Sequence, residues 1–104
     1  MSDRVSKYRN ELKLLATSQP SIARILFKHA PKSFILAIND AVWTALTGVV
    51  PLSPGDKARI KRVQAVLRRI ARPNISVAQR RVALSTKSGI KAIQTLFEVL
   101  QVHF

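Results

Sequence analysis

The fold class this sequence predicts is an all-α domain of about five or six short amphipathic helices, and three observations predict it. Apolar residues return every three or four positions through most of the 104 residues, which is the period of one helix face. Proline, glycine and serine gather between those stripes, at Ser18 to Pro20, Pro31, Gly48, Pro51 to Gly55 and Pro73, where helices start and stop. Paired β-branched runs joined by hairpin turns are absent.

The first helix is expected from Asp3 to Thr17, with Val5, Tyr8, Leu12 and Leu15 as its apolar stripe and Arg4, Lys7, Arg9 and Lys13 mostly off it. The run Thr17 to Pro20 breaks it. Ser18 or Ser21 can cap a second helix carrying Ile22, Ile25, Leu26 and Phe27, which ends near Ala30. Pro31 opens a third, from Lys32 to Thr47, with Phe34, Ile35, Ile38, Val42, Ala45 and Leu46 at helical spacing and Gly48 placed as a C-terminal cap. It is the least charged helix, hence expected to be central, with Trp43 at its edge. Val49 to Leu52 reads as a short extended connector.

The stretch from Pro51 to Pro73 organises the rest. Ser53 is placed as an N-cap, Pro54 as the first helical residue, and Asp56 as a negative charge against the positive end of the dipole. Pro73 ends the helix and biases Arg72 out of it. Ile60, Val63, Leu67 and Ile70 form one apolar face. At about 100° per residue, Lys57, Lys61, Arg68 and Arg72 share another face, widened by Arg62 and Arg69, with Arg59 further round. Ser76 to Gln79 is a capping-box pattern and starts a fifth helix through about Ser85, with Val77 and either Val82 or Leu84 inward and Arg80 and Arg81 outward. Lys87 to Gly89 is expected to be a break. The last helix then runs from Ile90 to about Val102, with Ile90, Ile93, Phe97 and Leu100 on one side and Leu96 beside them. Repeats, low-complexity tracts and linkers are lacking, so residues 1–104 read as one domain, with its basic region at about 53–91.

Charge is the dominant compositional fact. Eighteen Lys and Arg face five Asp and Glu, a net charge of +13. After Asp56 the next acid is Glu98, so no negative charge interrupts the cations from Lys57 to Lys91. A folded domain so unbalanced collects polyanions: nucleic acid, an anionic membrane surface or an acidic protein. Arg is favoured over Lys in the groups Arg68-Arg69-Arg72 and Arg80-Arg81, and a guanidinium matches phosphate in a bidentate way. The few aromatic residues fall mostly on helix stripes, which argues against a single-strand stacking platform.

Other classes fare worse. There is no cysteine, so disulfides and thiol chemistry are excluded. His29 and His103 stand far apart without a ligand pattern, and Asp40 and Glu98 are isolated in sequence, so neither a metal site nor acid–base catalysis is expected, and no cofactor. Asp40, one turn before Thr44, reads as a solvated or locally bonded side chain. The N-terminal residues are charged throughout, so no secretory signal is expected there. The longest weakly charged run, Ala41 to Gly55, holds two prolines and two glycines and is too short to span a bilayer.

From the second helix onward the order of residues carries a resemblance. Ile25 to Pro31 is followed by Ile35 with Ala37-Ile38, then Leu46-Thr-Gly48 and Val49-Val-Pro51-Leu-Ser53. Next come the basic helix with Leu67-Arg-Arg-Ile-Ala71, Ile75-Ser76 with Arg80-Arg-Val-Ala-Leu84, and Gly89. This resembles the small basic protein encoded by Maverick/Polinton-type elements and adintoviruses, relatives of adenoviruses, over about Ile22 to Gly89. The resemblance implies a virion-associated protein that neutralises packaged double-stranded DNA, with other virion proteins as possible partners and the virion and host nucleus as its location. After the glycine this chain continues as an amphipathic helix, where members of that family often have a Gly-rich apolar tail.

The sequence therefore predicts a non-enzymatic protein that binds double-stranded DNA through phosphates without reading sequence. Its expected contacts are Lys57, Lys61, Arg62, Arg68, Arg69, Arg72, Arg80 and Arg81, flanked by Arg59 and Lys87. Two alternatives stay open. One is a helical interaction module that docks an acidic protein on the same face. The other is a helix-turn-helix regulator, in which the basic helix and the Ser76 to Ser85 helix would place Gln79 and Arg80 where base edges are read. Self-association is compatible with all three.

Overall fold

The computed structural model describes residues 3–48 and 51–100. Among them there are seven helices and no strand: α1 (Asp3–Lys7), α2 (Arg9–Thr17), α3 (Pro20–His29), α4 (Lys32–Leu46), α5 (Pro54–Ile70), α6 (Val77–Ser85) and α7 (Lys87–Leu100). The class is the expected one, and the count exceeds the expectation because the first predicted helix is divided at Tyr8, whose φ and ψ of −101° and 16° leave the helical region. Backbone bonds still cross the division, from Tyr8 N–H to the Arg4 carbonyl at 3.2 Å and from Leu12 N–H to the Tyr8 carbonyl at 2.9 Å. The bend turns the Tyr8 ring edge-on to Phe34, with centroids 5.2 Å apart, and its hydroxyl to Ser33.

The helix boundaries follow from local chemistry. Gln19 is the N-cap of α3 in place of either expected serine, because Pro20 takes the first helical position and fixes the start there. Gly48 follows α4 with φ +74°, the left-handed conformation that closes a helix end. Val49 and Val50 of the expected connector lie outside the described residues. Ser53 Oγ accepts the Asp56 N–H at 3.2 Å, and α5 ends at Ile70, leaving Arg72 outside the helix before Pro73. Asn74 turns the chain with φ 68°, a conformation Asn tolerates better than most residues. The Ser76–Gln79 capping box forms in both directions, at 2.9 and 3.1 Å.

The expected break at Lys87 to Gly89 is instead the first turn of α7. Thr86 alone, in extended conformation, separates α6 from α7. Its hydroxyl donates to the Ala83 carbonyl at 2.8 Å and accepts the Gly89 N–H at 3.0 Å, closing α6 and opening α7 with one side chain. Gly89 is needed for proximity: a Cβ there would lie 2.1 Å from the Ala83 carbonyl oxygen.

All seven helices contribute to one cluster of buried residues. Helix α4 supplies Phe34, Ile35, Ile38, Ala41 and Val42 to it, and α7 supplies Ile90, Ile93, Leu96, Phe97 and Leu100. The helix that packs most widely is α7, against α2, α3, α4, α5 and α6, rather than α4, the least charged helix and the one expected to be central. Long-range donors close the helix ends around this core. Gln94 of α7 donates to the Leu15 and Ser18 carbonyls at the end of α2, at 3.1 and 2.6 Å. Arg24 donates to Ser85 at the end of α6, at 3.1 Å. The Trp43 indole N–H reaches the Ala71 carbonyl at the end of α5, at 3.1 Å. Each bond satisfies a carbonyl that a helix end leaves over and ties one helix to another. No described helix is long and apolar enough to cross a membrane.

Candidate nucleic-acid interface

Helix α5 is oriented by its buried stripe. Ile60, Leu67 and Ile70 are buried and Val63 and Val66 partly so, packed mainly against α7. The opposite side is exposed, and its cations fall into two ridges. Lys57, Lys61 and Arg68 lie within about 40° of one another around the axis, and Arg62 and Arg69 form a second ridge seven residues apart; all five are exposed. Exposed Ala58 and Ala65 separate the ridges, so a smooth strip runs between two lines of positive charge. Arg72 extends the cationic surface past the helix end, and Lys87 is exposed at the start of α7. None of these seven cations has a carboxylate within ion-pair reach among the described residues.

Three predicted contacts are placed differently. Arg80 is 8% exposed: its guanidinium turns inward and donates to the Arg72 carbonyl at 2.9 Å and the Ile75 carbonyl at 3.3 Å, bracing the turn between α5 and α6. Arg81 is half-buried and donates to the Phe27 carbonyl at 3.0 Å, joining α6 to α3. The expectation that both point outward is corrected by the wheel of α6. Val77, Arg80, Arg81 and Leu84 stand at i, i+3, i+4 and i+7, one face, and that face is packed, while Val82 is 69% exposed. Arg59 is half-buried and carries an acid on each side: Asp56 one turn back, at 4.0 Å, and Glu98 of α7.

The acids that stood isolated in sequence are thus both partners in ion pairs. Asp40 accepts from Arg4 at 3.0 and 3.4 Å, pinning α1 to α4, and Glu98 pins α7 to α5. Thr44 bonds the Asp40 backbone carbonyl, at 2.8 Å. His29 is exposed at the end of α3, and His103 lies outside the described residues. Among the described residues no three His, Cys, Asp or Glu come together as metal ligands.

A shallow groove of about 350 Å³ runs between α5 and α7, lined by Arg59, Arg62, Val63 and Val66 on one side and Ser88, Lys91 and Thr95 on the other. Lys91 is exposed and was not among the predicted contacts. Its signal in the sequence is its place three residues after Ser88 and four before Thr95, one polar face of α7 inside the acid-free interval.

The helix-turn-helix geometry is strained by what lies between the helices. Ala71 to Ser76 separate α5 from α6, six residues, where that motif uses a turn of about three or four. Gln79 Oε1 is engaged by the Ser76 N–H and Arg80 is turned inward, so both side chains placed to read bases serve the turn. Compared with protein-family models, curated proteins and solved structures, the chain matches none.

Proposed function

We propose that this protein binds double-stranded nucleic acid, DNA in the first instance, by its phosphates and without reading sequence. The observation that carries this is the exposed face of α5, where Lys57, Lys61, Arg62, Arg68 and Arg69 stand in two ridges free of carboxylates, with Arg72 and Lys87 beside them. Charged side chains on an unobstructed helix face suit the repeating charge of a duplex, whose phosphates supply affinity but no sequence information. The resemblance to the small basic protein of Maverick/Polinton-type elements and adintoviruses supports the finer reading, a virion protein that condenses packaged DNA. Arg80, Arg81 and Arg59 take a structural part and leave the contact set. Binding is the whole activity in this proposal, with neither catalysis nor a cofactor.

The test is a set of unrelated duplexes of equal length. Phosphate binding predicts affinities within a few-fold of one another. Discrimination of about a thousandfold for one short site, the scale of specific readers, would overturn the proposal in favour of a sequence-specific regulator.

A further inference from the structure

We infer that the groove between α5 and α7 seats a phosphate group of the nucleic-acid backbone, an inference that rests on the function proposed above and names a second point of grip beside the α5 ridges. Four features converge there. Arg62 and Lys91 approach from different helices and offer two positive charges, one of them a planar guanidinium suited to a phosphate's paired oxygens. Ser88 and Thr95 add hydroxyls on the α7 side, which can donate to phosphate oxygens or hold bridging water. Val63 and Val66 form an apolar floor. Among the described residues no carboxylate lines the groove, and Glu98 pairs with Arg59, one of its lining residues.

The arrangement is also directional. Arg59, early in α5, pairs with Glu98, late in α7, so the two helices run antiparallel. The start of α7, with the positive end of its dipole, therefore lies beside the latter half of α5, where Arg69 projects, while Arg62 stands at mid-helix. Lys91 stands toward the Ser88 end of the groove, while at the other end Arg59 is paired with Glu98. Arg62 belongs to both surfaces, so a phosphate in the groove is continuous with a strand lying along the ridges. The groove, about 350 Å³ and open to solvent, admits a phosphate with part of its hydration.

The test compares the full-length protein with K91A, T95V and the ridge variant R68A/R69A on a duplex of random sequence, after their melting has been matched to the parent. Groove seating predicts that K91A lowers the slope of log affinity against log salt by about one unit and weakens binding by roughly five- to tenfold at 0.1 M salt. T95V weakens binding with no change of slope, since it removes no charge. If R68A/R69A weakens binding while K91A and T95V bind like the parent, the groove inference is overturned and the proposed function stands. If all three bind like the parent, both fall. A parallel titration with inorganic phosphate, followed by amide shifts of Ser88, Lys91 and Thr95, distinguishes the source of the anion. Saturable shifts there, with duplex binding unchanged in K91A, would assign the groove to a free anion and overturn seating of the nucleic-acid backbone.

Discussion

Arg80 shows how a charge can be misplaced by composition and recovered by periodicity. It sits in an Arg-Arg pair inside the acid-free interval, which suggests a solvent-facing cation. Yet it shares a face with Val77 and Leu84, and the structure buries it against the Arg72 and Ile75 carbonyls. Two of its donors close the turn after α5, while Nε is buried without a hydrogen-bond partner among the described residues. Arg80→Ala should leave those two carbonyls without their donors and destabilise the fold by about 1–3 kcal/mol, read as a lower denaturant midpoint. The salt slope of DNA binding should be unchanged wherever the variant remains folded. A variant that melts like the parent and loses a unit of slope would return Arg80 to the interface. The inward turn was therefore legible in the α6 wheel, whereas the identity of its acceptors was not: they belong to a turn whose path depends on Pro73 and on Asn74 at positive φ.

At the scale of elements, the caps of α5 and α6 were legible, because each rests on one side chain and the next turn, whereas that of α3 was not, since Pro20 moves it to Gln19. Ser53 over Asp56 and the Ser76–Gln79 box formed as their spacing predicted. What spacing could not supply was the closeness of neighbouring elements. Gly89 reads as a breaker, but it lies in the first turn of α7, where an added Cβ would fall 2.1 Å from the Ala83 carbonyl oxygen of α6. On propensity alone, Gly89→Ala would favour a helix by about 1 kcal/mol. The added Cβ would meet backbone rather than a yielding side chain, so the net result should be a loss, about 1–3 kcal/mol by overpacking. Thermal melting of the single variant checks the sign. The division at Tyr8 was likewise invisible in sequence, since the stripe of Val5, Leu12 and Leu15 runs through it; the contacts with Phe34 and Ser33 lie far along the chain.

At the scale of the whole molecule, the fold gives its cations different tasks. Some tie helices together: Arg4 to Asp40, Arg24 to the end of α6, Arg59 to Glu98, Arg80 to the α5–α6 turn and Arg81 to the end of α3. A second set, Lys57, Lys61, Arg62, Arg68, Arg69, Arg72, Lys87 and Lys91, stands outward on α5, just past its end and near the start of α7, while Lys7, Arg9, Lys13, Lys28 and Lys32 lie on α1 to α4. Like charges as concentrated as the second set repel one another unless a polyanion covers them. The same face also suits an acidic protein: there a single protein partner would be saturable, whereas on a phosphate-binding surface heparin and random DNA displace each other. The most direct measurement is a salt-dependent titration of random double-stranded DNA with the parent and with R68A/R69A. Both arginines are exposed on α5, so the double variant should melt within about 0.5 kcal/mol of the parent. Its binding should be weaker at low salt, with a slope of log affinity against log salt shallower by about one to two units. An unchanged affinity and slope, in a variant that melts like the parent, would contradict the assignment of the interface to α5.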